Sequence, residues 1–107
     1  MQELEMSVKD VADFLENNPD TPLIDVRETF EREICQLPHS QQLTESLAET
    51  MLAKWQKDDL IIFYCHHGGR SRAAAEYFLQ QGFSRVRNMT GGIDAWSLQI
   101  NPEIPRY

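Results

Sequence analysis

Long apolar runs are missing from this chain. Nothing in its 107 residues approaches the ~20 consecutive apolar positions a membrane-spanning helix needs, so a membrane is not expected as a partner. Basic residues are also few: ten Lys and Arg stand against seventeen Asp and Glu, a formal net charge of −7. Nucleic acid, whose phosphates call for clustered cations, is not expected either. The basic residues are scattered except for Arg70 with Arg72 and Arg85 with Arg87, and an acidic chain with small basic spots suits a small anion better than a polyanion. Only two cysteines occur, Cys35 and Cys65, which points to free thiols rather than a disulfide framework. Zinc-type spacing is absent: Cys65, His66 and His67 are adjacent and no second ligand pair follows, so neither a metal nor a cofactor is expected. Met1-Gln2-Glu3-Leu4-Glu5 has neither the basic start nor the apolar stretch of a secretory leader, which makes the cytoplasm the expected location.

What is present is enough for one domain, residues 1–107, with 41% hydrophobic residues to build its core. Leu4 and Met6 alternate with glutamates, as in a short strand. Ser7 with Asp10 reads as an N-cap, and Val8, Val11, Ala12 and Leu15 at helical spacing predict a helix over 8–17, stopped by Asn18-Pro19. Leu23–Val26 predicts a buried strand, in which Asp25 needs partners and belongs at the strand's end. Glu28–Glu33 reads as a helical turn, and residues 34–43 show no clear period. Leu47, Met51, Leu52 and Trp55 predict a helix to about Gln56. Leu60–Tyr64 is an apolar strand. A helix starting near Ser71 runs to Gly82, Arg85–Met89 forms a strand, Gly91-Gly92 a turn and Ile93–Leu98 a short helix. Alternating helices and strands with long connections indicate an α/β layer on a mostly parallel sheet, whose ligands bind beyond the carboxyl ends of strands.

Cys65 lies at such an end, followed by His66-His67-Gly68-Gly69-Arg70-Ser71. A thiol is a useful nucleophile as thiolate, so its surroundings must favour the anion. The loop amides, curled by Gly68 and Gly69, the following helix N-terminus and Arg70 all do so. A structural cysteine in a core requires none of these. A cation in a helix's first turn opposes the dipole, so Arg70 there points to an anionic ligand. Arg72 is expected at the surface. His66 and His67 line the rim or select what enters.

Three pieces, Asp25-Val26-Arg27-Glu28, Tyr64 to Ser71 and Gly91-Gly92-Ile93-Asp94-Ala95-Trp96, resemble the rhodanese-like domain family of sulfurtransferases in order and spacing. The tail Pro102 to Tyr107 is similar to the ending of bacterial single-domain members. The resemblance implies a five-stranded parallel sheet with helices on both faces. It implies a thiosulfate sulfurtransferase-like enzyme in which Cys65 takes sulfane sulfur from a small anionic donor, carries it as a persulfide and passes it to a thiol, cyanide or protein acceptor. By position, the amides of His66, His67, Gly68, Gly69, Arg70 and Ser71 hold the charge and Arg70 attracts the donor. Asp25, Arg27, Gly91, Gly92 and Trp96 are structural near the site. Where the family usually carries a Gly-His-Ile-Pro-Gly-Ala-like segment, this chain has Cys35-Gln36-Leu37-Pro38-His39-Ser40, which leaves the third strand unread.

Two other classes share the pattern. Phosphatases and arsenate reductases separate cysteine from arginine by five residues; here four do so, a loop sized for one sulfur rather than a tetrahedral oxyanion. A non-catalytic interaction or redox-sensing module of the same family would retain the fold without turnover.

Overall fold

The computed structural model describes residues 3–107; Met1 and Gln2, part of the stretch read for leader features, lie outside the described residues. The order is β1 (Glu5–Ser7), α1 (Val8–Asn17), β2 (Leu23–Asp25), α2 (Thr29–Ile34), β3 (Gln41–Gln42), α3 (Glu45–Lys54), β4 (Leu60–Tyr64), α4 (Gly69–Gln80), β5 (Arg85–Thr90) and α5 (Gly92–Gln99). The strands form one sheet in the order β1-β5-β4-β2-β3, every neighbouring pair parallel. This is the five-stranded parallel α/β architecture the motifs implied.

β4 explains why both faces must be covered. Successive side chains of a strand point to opposite sides. Ile62 and Tyr64 join a cluster with Val8 and Val11 of α1 and Ile93 of α5. Ile61 and Phe63 join a second cluster with Met51 of α3 and Ala75 and Phe78 of α4. An unbroken apolar run is what a strand buried on two sides requires. Emptying one of these sites, as in Ile62→Ala, removes ~2–5 kcal/mol of transfer and cavity energy.

α1 starts where Ser7 accepts the Asp10 amide at 3.1 Å, as the cap pattern predicts. Several boundaries differ from the sequence reading, those of β2, α2, β5 and α5 by one residue and two helix ends by two. α3 ends at Lys54, with Trp55 as its cap. α4 begins at Gly69, two residues before Ser71, which places Arg70 and Ser71 inside its first turn. The unread stretch contains β3, two glutamines paired to Ile24 and Asp25. A strand that short, made of polar residues, has no hydrophobic alternation; its partner strand supplies the pairing.

The chain returns to the sheet's carboxyl end after α5. Ile104 packs on the α1–α5 cluster and its amide bonds the Asn101 carbonyl at 3.2 Å, which turns the last residues towards the loop after β4. Among the described residues no helix is long and apolar enough to cross a membrane.

Candidate active site

Cys65 follows the last residue of β4 and is 1% exposed. Its Sγ accepts the Gly68 amide at 3.1 Å, the Ser71 amide at 3.4 Å and the Ser71 hydroxyl at 3.3 Å. Gly68 makes the curl, with φ of 111°, a left-handed conformation that side-chain-bearing residues rarely adopt. Gly69 has no positive φ and lies in α4, so of the two glycines only Gly68 bends the loop. Burial pushes the Cys65 thiol up. The Ser71 hydroxyl and the amides of Ser71, Gly68 and Arg70 outweigh it, so the thiol ionises below its ordinary value.

The cradle is anchored from below. Asn88 of β5 donates Nδ2 to the Gly68 carbonyl at 3.1 Å and accepts the Ser71 hydroxyl at 2.5 Å. Gly92 presses on the loop from β5's side: a Cβ there would lie 2.4 Å from the His66 carbonyl oxygen and 2.5 Å from that of Cys65. Those carbonyls accept the amides of Asp94 and Ile93 at 3.1 and 2.9 Å. Gly91 caps α5. Trp96 joins the α1–α5 cluster, so its part is packing.

Asp25 ends β2, fully buried, and is partnered as its burial demands. Arg27 grips it at 2.9 and 2.8 Å, Arg32 at 2.7 Å and the Tyr64 hydroxyl at 2.9 Å. Arg27 also bonds the Cys35 carbonyl at 2.7 Å, so Cys35 enters this network through its backbone. These contacts fix β2, α2 and the following segment around the residue that precedes Cys65.

Arg70 is held in a way its sequence position did not disclose. Its guanidinium forms a bidentate pair with Glu31 of α2 at 2.7 and 2.9 Å. Glu31 also accepts the Tyr107 hydroxyl at 2.6 Å and the Glu28 amide at 2.9 Å. The Arg70 guanidinium holds the Glu31 carboxyl far below the usual carboxylate range; burial opposes this, and the Tyr107 hydroxyl adds to the lowering. Tyr107 in turn accepts Arg27 Nη1 at 2.9 Å. Burial, then the Glu31 bond, pushes its hydroxyl up to about 12.

The Tyr107 ring stacks on His66, centroids 3.8 Å apart at 6°, and His66 stacks on His67 at 3.9 Å. The two histidines are thus rim residues tied to the tail. His66, His67 and Asp94 bring possible metal-ligating atoms within 4.8 Å of one another, but Arg106 already occupies Asp94 at 2.8 Å. Arg72 pairs with Glu5 and Glu76 at the surface, away from the sulfur. Sequence reasoning had assembled Cys65 to Ser71 and the residues beneath them. It missed Glu31, Tyr107 and Asn88, whose roles depend on contacts far along the chain.

Comparison with known proteins bears on the family and the fold. The model of the rhodanese-like domain matches residues 7–99. A sulfurtransferase of Allochromatium vinosum is 33% identical over 93 residues, which cover 87% of each chain. A human single-domain sulfurtransferase superimposes with a TM-score of 0.77 at 20% identity, over 92% of this chain and 98% of that one. A protein of unknown function from Rhodopseudomonas palustris, described as a possible tyrosine phosphatase, gives 0.77 at 22% identity, over 97% of this chain and 84% of that one. At such identities the two structural likenesses show the shared fold alone. The family-wide match and the Allochromatium relative carry the assignment further: this chain belongs to the rhodanese-like domain family.

Proposed function

We propose that this chain is a sulfurtransferase that carries sulfane sulfur as a persulfide on Cys65. The observation that carries this reading is the cradle itself, three donors converging on one Sγ in a loop with four residues between Cys65 and Arg70. The thiolate attacks the sulfane sulfur of a donor, the donor's S–S bond breaks, and the leaving group departs with that electron pair. Among sulfane-sulfur donors in general, thiosulfate would release sulfite and an organic persulfide would release a thiolate. The Cys65 persulfide then gives its outer sulfur to a thiol, protein or cyanide acceptor, which regenerates the thiolate. The amides that hold the thiolate also stabilise the persulfide anion, since both bear negative charge at nearly the same place. Both cysteines are free, as suits a reducing compartment such as the cytoplasm.

Mass spectrometry of the intact protein after exposure to a sulfane-sulfur donor tests the reading. Wild type should gain one sulfur atom on Cys65 and lose it to added cyanide, while Cys65→Ser gains none. A wild-type protein that stays unmodified with every donor would favour an interaction module instead. Hydrolysis of p-nitrophenyl phosphate, lost in Cys65→Ser, would favour phosphatase chemistry.

A further inference from the structure

The cation nearest the nucleophile is already neutralised. Arg70 was expected to draw a small anion, but Glu31 pairs with it through two of its five N–H donors and offsets its charge, although its side chain stays 46% exposed. Glu31 cannot swing aside at little expense. Its side chain is 5% exposed, and the Tyr107 hydroxyl and the Glu28 amide hold it besides Arg70. The other arginines around the mouth are committed too. Arg106 is paired with Asp94. Arg27 and Arg32 share Asp25, and the Arg27 side chain is wholly buried, its guanidinium carbon 5.8 Å from the centre of the Tyr107 ring. A doubly charged donor entering here meets a compensated ion pair and the Cys65 thiolate. Among the described residues at the mouth every arginine has a carboxylate partner, so little net positive charge offsets that repulsion.

We infer that Glu31 is a specificity-determining residue of the sulfur-transfer reaction, one that closes the site to small dianions such as thiosulfate and leaves it open to persulfides borne on organic thiols. The inference rests on the sulfurtransferase reading and names its donor class. The transfer balances without an added redox partner: the Cys65 thiolate attacks the outer sulfur of R–S–SH, the R–S to S bond breaks, R–S⁻ leaves with the electron pair, and Cys65 carries S–SH. A persulfide group bears at most one negative charge, so it meets a smaller Coulombic penalty than a dianion. Phe30 and Ile34 of α2, the helix that carries Glu31, are 62% and 43% exposed and one helical turn apart, so this helix shows apolar surface to solvent.

Rates of sulfur loading on Cys65 should be compared in wild type and Glu31→Gln with three donors: thiosulfate, cysteine persulfide and a persulfide formed on a single-cysteine peptide. Gln keeps the shape and a carbonyl acceptor but removes the charge that cancels Arg70. The ratio of thiosulfate to persulfide rate should rise ~tenfold in the variant. The faster persulfide arm shows whether a small thiol or a polypeptide is the better carrier. A second measurement needs no variant. With Arg70 compensated by Glu31 and a net charge of −7, wild-type loading from thiosulfate should hold or rise as salt is added, because salt screens repulsion. A ratio unchanged in Glu31→Gln, or a wild-type thiosulfate rate that falls with salt, would overturn this inference while leaving the sulfurtransferase reading in place. Absence of loading by all three donors in wild type would overturn that reading, and this inference with it.

Discussion

Ser71 has one hydroxyl proton and two acceptors within reach, Cys65 Sγ at 3.3 Å and Asn88 Oδ1 at 2.5 Å. A hydroxyl serves one acceptor at a time. While Cys65 is a thiol the amide oxygen is the better acceptor; once it ionises, the sulfur anion competes for the same proton. The hydroxyl thus favours the thiolate specifically, and Ser71→Ala should move the inflection in the pH dependence of Cys65 alkylation upward by about one unit. An inflection that stays in place would assign the lowering to the backbone amides alone. Cys65 and Ser71 could be read from neighbouring residues because their chemistry is local. Glu31 could not, since its partners Arg70 and Tyr107 lie 39 and 76 positions away. An acidic residue on a short helix gives no sign of which cation the fold will bring to it.

Among the elements, those whose burial follows a period were readable and those held by partners were not. β4 and α1 carry their patterns in their own residues. β3 exists because β2 offers it two pairing positions. The sequence reading starts α4 late because Gly69 is a poor helix former and a cation at Arg70 opposes the helix dipole; the loop geometry rather than propensity begins that helix. The β5–α5 turn shows how strictly one element locates another. Gly92 has φ of 63° and no room for a Cβ against the two carbonyls that start the Cys65 loop. Gly92→Ala should destabilise the fold by ~2 kcal/mol or more and displace the loop, with urea unfolding reading the first and slower Cys65 alkylation the second. Wild-type stability in that variant would mean the turn relaxes without involving the loop.

For the whole molecule, ionised contacts both reinforce the sheet and join segments that it does not connect. Glu31 ties α2 to α4 and to the chain's last residue, and Glu5 ties β1 to Asn88, Thr90 and Arg72. The Glu31 carboxyl lies far below its ordinary range chiefly because of the Arg70 bond. For Glu5, burial raises the value, and the bonds from Thr90, Asn88 and Arg72 together bring it below normal. A carboxylate with a depressed native pKa binds fewer protons than in the unfolded chain, so its contribution is full above the unfolded value of about 4.3 and is lost as pH falls through the native value. Tyr107 has the opposite sign. Raised to about 12 by burial and the Glu31 bond, it contributes below its unfolded value of about 10 and loses this as pH rises through 12. Between about pH 5 and 10, therefore, the clasp of α2, α4 and the tail should be at full strength. Urea midpoints measured from neutral pH down to about pH 3 should fall for wild type, and fall less steeply for Glu31→Gln, which has one fewer carboxylate to protonate. The variant should start from a lower neutral value and converge on wild type in acid. Parallel curves, offset equally at every pH, would show that Glu31 contributes through packing and neutral hydrogen bonds rather than through its charge, and the Arg70–Glu31 pair would then lose its claim to clasp α2, α4 and the tail.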